Sequence, residues 1–355
     1  MRSRLPIWVF CAVFLAAGCA SKWAVRSESS ETALQWPYQP ARAKVTYGMA
    51  LKGFSPNLST RSLLGAIVYG DDGSDSNSFY LPVAVTTGRD RRLAVADTGC
   101  GCVHLYLPGE QRYVRIMTAG AERLRSPVGL AFDDDLKLYV SDSAAGKIFV
   151  FRGDGEFLSY FRETGAGPLK RPTGLAYNPD KKLLYVADTV GNRIYAFDTR
   201  GEAAFSFGQA GEGVGGFNHP THIFRSLSGL LYVTDSMNFR IAIFDGAGQA
   251  LGSFGHHGNG SGDLAMPKGV AADKDGIVYV ADSRFDNIQL FNRQGDFLLT
   301  VGGRGTDYGE FWLPSGIFID ADNMLYVCDT YNRSVQVFKI KENYQNGISS
   351  SGLER

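Results

Sequence analysis

Pro267-Lys-Gly-Val-Ala-Ala-Asp-Lys-Asp-Gly-Ile-Val-Tyr-Val-Ala-Asp282 holds two short apolar runs separated by Asp-Lys-Asp-Gly, and the second run closes on an aspartate. Downstream come Asn287-Ile-Gln-Leu-Phe and Phe297-Leu-Leu-Thr-Val-Gly302, joined by Asn-Arg-Gln-Gly295. Runs of this length, rich in Val, Ile, Tyr and Phe and bounded by Gly, Asp or Asn, read as strands joined by hairpin turns. One unit therefore supplies four strands.

The aspartate signature recurs as Val95-Ala96-Asp97, Val140-Ser141-Asp142, Val186-Ala187-Asp188, Val233-Thr234-Asp235, Val280-Ala281-Asp282 and Val327-Cys328-Asp329, at spacings of 45, 46, 47, 47 and 47 residues. Each unit opens on a proline, as in Pro127-Val-Gly-Leu, Pro172-Thr-Gly-Leu, Pro220-Thr-His-Ile and Pro314-Ser-Gly-Ile, with a degenerate first copy at Pro82-Val-Ala-Val. No segment sustains a helical period. A small sheet cannot bury both faces alone, so four-stranded units at this period stack radially around a channel. The expectation is an all-β, six-bladed β-propeller with four-stranded blades. The last unit lacks its outer strand, and Arg61-Ser-Leu-Leu-Gly-Ala-Ile-Val-Tyr-Gly70 matches the missing pattern, so an N-terminal strand is expected to close the last blade.

Taken together, the Pro-x-Gly-aliphatic, Tyr-Val-x-Asp and Asn-x-Arg-Ile elements, the last as in Asp235-Ser-Met-Asn-Phe-Arg240-Ile, resemble the NHL repeat family of six-bladed propellers from about Arg61 to Phe338. The resemblance is specific for fold and weak for function, because propellers host unrelated activities.

Met1-Arg-Ser-Arg4 followed by the apolar stretch Leu5 to Gly18 reads as a secretion signal, too short for an ordinary spanning helix. It ends in Leu15-Ala-Ala-Gly-Cys19, which resembles the bacterial lipobox and implies a lipid on Cys19. The rule for such lipoproteins reads Ala20 and Ser21 as outer-membrane sorting. The expected organisation is a signal over 1–18, a lipidated cysteine and tether over 19–60, the propeller over 61–340 and a polar tail over 341–355. The tether rests on Ser, Glu, Pro and Gln between Ala20 and Lys44.

The chain has 36 basic and 36 acidic residues, and loss of Arg2 and Arg4 with the signal leaves 34 basic, so nothing marks a nucleic-acid footprint. Beyond Cys11 and Cys19 the cysteines are Cys100, Cys102 and Cys328. An oxidising compartment permits a disulfide from one of the first pair to Cys328, clipping blade one to blade six. A three-thiolate zinc site is the sharper alternative, and it lacks an assigned fourth ligand.

The B–C loops and long D–A crossings emerge on one face, which is the expected working face. The six aspartates there read as turn braces. Arg193 and Arg240 read as partners of carboxylates or carbonyls between blades. His219, His222, His256, Lys268 and Arg284 are the candidate ligand-binding residues, with Phe217, Tyr308, Phe311, Trp312, Phe285 and Tyr331 as further loop residues, although Phe217 and Phe311 recur by position and read as packing. The histidine zinc set of the peptidyl-hydroxyglycine lyases and the inward acids of the calcium lactonases are not matched. Val83, Val128, Thr173, Thr221, Lys268 and Ser315 stand at the innermost openings instead. Nor is there a Gly-x-Ser-x-Gly elbow, a His-Glu-x-x-His or a Cys-x-x-Cys-His. The reading favours a monomeric, lipid-anchored envelope module that binds a protein, peptide or glycan, with no cofactor and no nucleic acid. A metal-dependent lyase or hydrolase centred on His219, His222 and His256 is the alternative.

Overall fold

The computed structural model describes residues 22–56 and 77–342. Six antiparallel units with four-stranded blades form a ring, and five of them have their strands A to D in sequence order. Blade one runs Pro82–Thr87, Leu93–Asp97, Cys102–Leu107 and Arg112–Ile116, and blade five runs Pro267–Ala272, Val278–Asp282, Asn287–Phe291 and Phe297–Val301. The six-bladed propeller expected from the period is the fold observed.

Blade six contributes Pro314–Ile319, Met324–Asp329 and Ser334–Ile340, and its outer strand comes from the N-terminus. That strand is β3, Val45–Pro56, which follows β1 (Trp23–Glu28) and β2 (Gln35–Trp36). β3 lies antiparallel to Ser334–Ile340, with Val45 opposite Ile340 and Leu51 opposite Val335, and its register shifts between Tyr47 and Met49. Gly48 sits at that shift, where a Cβ would lie 2.9 Å from the Val337 carbonyl oxygen. β1 then pairs with the far edge of β3, so the closing edge is covered.

Closure is thus N-terminal, as expected, but the closing strand begins at Val45. Arg61–Gly70 lies outside the described residues. The tether assigned to 19–60 is corrected, because much of it is sheet. Val45, Phe54 and Trp36 are buried, and Trp36 packs 5.8 Å from Phe338. Lys44 is also buried and pairs with Asp273 of blade five at 2.8 Å. The polar composition that suggested a tether belongs to the connection between β1 and β3.

The glycine of Pro-x-Gly is set by the approach of neighbouring innermost strands. A Cβ at Gly129 would stand 2.0 Å from the Thr173 carbonyl oxygen, and one at Gly316 would stand 2.4 Å from that of Val83. The residue after each repeated aspartate is Ser or Thr, and in blades three to six its hydroxyl donates to the A-strand proline carbonyl of the next blade. These bonds run Thr189 to Pro220 (2.7 Å), Ser236 to Pro267 (3.3 Å), Ser283 to Pro314, and Thr330 to Pro82 (2.9 Å). The last of them crosses the seam where the ring closes. The tyrosine of strand B anchors the opposite end of several blades, with Tyr139, Tyr279 and Tyr326 donating to Asp133, Asp273 and Asp320 of their own A–B turns.

Candidate functional site

The face of the B–C loops and D–A crossings rests on the six aspartates, all fully or almost fully buried. Asp282 accepts the N–H groups of Ala265 and Met266 from the incoming crossing and of Arg284 from its own B–C turn. Asp142 does the same for Arg125, Ser126, Ala144 and Ala145. Each carboxylate therefore fastens a long crossing to the B–C turn of its own blade, and these aspartates are braces. Arg240 meets Asp235 at 2.9 Å and the carbonyls of Glu212 and Gly216, which fixes another crossing.

At the mouth of the channel on this face, paired hydroxyls ring the axis: Thr173 with Thr189 (2.9 Å), Thr221 with Ser236 (2.6 Å) and Ser315 with Thr330 (2.7 Å). Lys268 enters this ring from strand A of blade five. Burial lowers its pKa, nearby Arg171 lowers it further, and Asp282 pulls it back up. Lys268, Arg171 and Arg284 make no ion pair among the described residues. The loops of the same face also carry Trp312, 40% exposed, and Tyr331, 52% exposed, with ring centroids 5.6 Å apart. Tyr80, Met237 and Met266 are also exposed on this face. Phe217 and Phe311 are fully buried and serve packing.

The candidate histidines do not converge. His219 is exposed, and its Nδ1 lies 2.9 Å from Asn218 Oδ1. His256 is exposed and pairs with Asp263 of its own crossing at 2.7 Å. His222 replaces the glycine of the innermost strand and wedges between blades four and five, where its Nδ1 accepts the Val270 N–H at 3.4 Å. That bond leaves the proton on Nε2. Burial pushes its pKa down to about 4, so it is neutral at pH 7. Among the described residues, the one group of three or more ligand-type side chains close enough to share an ion lies elsewhere. The three-histidine centre of the alternative reading is therefore not assembled.

His222 also lines a cavity of about 330 Å³ that opens on the face of the A–B turns, opposite the expected working face. Phe132, Tyr177, Phe224 and Phe318 form much of its wall. Phe224 and Phe318, from blades four and six, meet edge to face at 6.1 Å, while blade five between them contributes Ala272 to the wall. The sequence reading did not find this cavity, because its wall is assembled from side chains far apart in the chain.

The cysteines correct a second expectation. Cys100 and Cys102 are bonded to each other, with Cα atoms 5.3 Å apart across Gly101, whose φ of +59° lies in the left-handed region. Cys328 is free and fully buried, packed with Leu51, Phe54, Val95 and Val335 in the seam core. Burial pushes its thiol pKa up. His104, two residues after Cys102 on the same strand, was missed as a companion of the pair. Its Nε2 lies 3.5 Å from Cys102 Sγ, 3.8 Å from Cys100 Sγ and 3.7 Å from Asp97 Oδ2.

No family model matches the sequence, and no curated protein does. Solved structures share the fold. A virginiamycin B lyase from Staphylococcus aureus superposes with a TM-score of 0.52 at 16% identity, over 74% of this chain and 85% of that one. An auxiliary nutrient binding protein from Bacteroides ovatus gives 0.55 at 15%, over 75% and 71%. A gluconolactonase from Xanthomonas campestris gives 0.55 at 14%, over 74% and 87%. At these identities the likeness is one of fold, and its bearers range from binding proteins to enzymes.

Proposed function

We propose that this NHL-type propeller is a binding module of the cell envelope, carried by a lipid on Cys19 at the outer membrane, that takes a carboxylate-bearing partner at the long-loop mouth of its channel. The observation that carries the reading is the set of cations there, Lys268, Arg171 and Arg284, none of which makes an ion pair among the described residues, with Asp282 acting on Lys268 only as the smallest of three influences. A half-buried lysine without a directly paired carboxylate is costly to hold, and a bound carboxylate would relieve that cost. Arg171 and Arg284 would add charge-assisted bonds, and Trp312 and Tyr331 would give apolar contact. Nutrient-binding proteins among the structural neighbours are compatible with such a role.

Titration of the purified propeller with a uronic-acid oligosaccharide and its neutral counterpart tests this reading. Binding is expected for the acidic ligand alone, with a loss of at least about tenfold in Lys268→Gln/Arg171→Gln at unchanged melting temperature, since one charged hydrogen bond contributes roughly 1.5–3 kcal/mol. Equal affinity of wild type and variant would reject the assignment. A second reading rests on the aromatic cavity of the opposite face, whose volume suits a small apolar ligand. Binding lost in Phe224→Ala and kept in Lys268→Gln would favour it.

A further inference from the structure

Cys100, Cys102, His104 and Asp97 lie together at the seam between blades six and one, and they play no part in the proposed binding mouth. Cys102, His104 and Asp97 are fully buried, while Cys100 is half-exposed. The His104 ring is enclosed by Phe54 of the closing strand, by Phe79 at 5.1 Å and by Tyr113. Its Nδ1 lies 2.8 Å from the Tyr113 hydroxyl. With Nδ1–H donated to that oxygen, the Nε2 lone pair faces the two sulfurs, the second-shell arrangement that orients a ligating histidine.

We propose that this cluster is a redox-gated site for a thiophilic divalent cation of the zinc type, closed by the Cys100–Cys102 disulfide and opened when that bond is reduced. Zinc–sulfur bonds of about 2.3 Å and zinc–nitrogen bonds of about 2.0–2.1 Å at a tetrahedral angle put sulfur and nitrogen roughly 3.5 Å apart. The observed separations are 3.5 and 3.8 Å. Two zinc-bound thiolates stand about 3.8 Å apart in the same geometry, so the bonded pair and the metal-bound pair exclude each other. Cys100, Cys102 and His104 are the protein donors, solvent would fill the fourth position, and Asp97, whose Oδ2 accepts the Tyr80 N–H at 2.6 Å, braces the turn beside them.

Opening needs a dithiol donor. Its thiolate attacks the half-exposed Cys100 Sγ, the S–S bond breaks, and Cys102 leaves as a thiolate beside His104. The donor's second thiol then displaces Cys100 and the donor becomes a disulfide. Two electrons pass to the protein, which gains two protons to give two thiols. Metal binding returns those two protons to solvent.

The test uses cobalt(II) as a spectroscopic stand-in. The purified chain is reduced with dithiothreitol, desalted without oxygen and titrated with cobalt chloride, then with zinc chloride. One cobalt per chain is expected, with a thiolate-to-cobalt charge-transfer band that zinc abolishes. The oxidised chain should give no band, Cys102→Ser should lose it, and His104→Gln should bind at least tenfold more weakly. Cys328→Ala should keep both the band and the stoichiometry, which separates this site from the other thiol. Circular dichroism on each variant confirms that the propeller is intact. Absence of a band in the reduced wild type, an equal band in the oxidised chain, or a band retained in folded Cys102→Ser would each overturn the proposal.

Discussion

Removing the Lys44 side chain should destabilise the whole ring. Its ammonium lies 2.8 Å from Asp273 and 3.5 Å from Asp275, and it donates to the Lys341 carbonyl at 3.3 Å. Lys44 and Asp273 are both buried, so the pair is shielded from water. Asp273 also accepts the Ile277 N–H at 2.9 Å and the Tyr279 hydroxyl at 3.0 Å. In Lys44→Ala these two donors remain, while the carboxylate loses its buried cation among the described residues. Breaking one side of a buried pair costs about 3–5 kcal/mol, because the stranded charge keeps its desolvation penalty. With a urea slope near 3 kcal/mol/M, the upper end for small proteins, that loss moves the midpoint down by about 1–1.7 M. Equilibrium unfolding should be followed by the fluorescence of buried Trp36 and by far-ultraviolet dichroism together, since repeat arrays can lose cooperativity. Lys44→Ala/Asp273→Asn should recover part of the loss, because the stranded charge is gone. A midpoint shift below about 0.2 M in Lys44→Ala would refute the reasoning, placing the segment before β3 outside the cooperative unit.

Other perturbations have equally direct readouts. The pKa of His222, lowered by burial to about 4, means that the unfolded chain binds the extra proton first on acidification. Stability should therefore fall as pH drops from about 6.5 through 4, by up to about 3 kcal/mol, and His222→Gln should flatten that part of the pH profile. Thr330→Val removes the hydroxyl that reaches Pro82 across the seam and should cost about 1–2 kcal/mol in urea unfolding, whereas Thr98→Val, whose hydroxyl bonds Leu81 at a more open position, should cost under about 0.5 kcal/mol. Gly129→Ala would drive a methyl against the backbone of blade three, and a loss of about 3 kcal/mol or more, or failure to express as folded protein, is expected.

The period and the strand chemistry were legible because they are local and repeated six times. The aspartates were legible as braces for the same reason, since a residue present in every blade serves the blade. β3 was hard to read because Gly48 and Gly53 interrupt its apolar pattern, and Gly48 is required by the approach of Val337 rather than by a turn. Lys44 looked like part of a polar linker, and only the tertiary pairing with Asp273 explains its burial. The Ser or Thr after each aspartate was a visible signal left unused; its partner lies on the next blade, so its meaning emerges only when the ring is closed. His104 could have been found from spacing alone, since residues two apart on a strand share a face and Cys102 and His104 are two apart. The aromatic cavity had no such signal. Its wall joins Phe224 and Phe318 of blades four and six past small Ala272 of blade five.

On the proposed lipid anchor at Cys19, the early start of β1 would limit how the disc could stand on a bilayer. Trp23 is already in the sheet, and its N–H donates to the Gln111 carbonyl on the C–D turn of blade one. Four residue steps separate it from Cys19, a leash of at most about 14 Å. Acyl chains attached there would moor the propeller by its rim, at the junction of blades six and one, with little freedom to tumble. That junction would be the part of the molecule nearest the headgroups, so lipid packing and the redox state of the Cys100–Cys102 pair would act on the same corner of the ring.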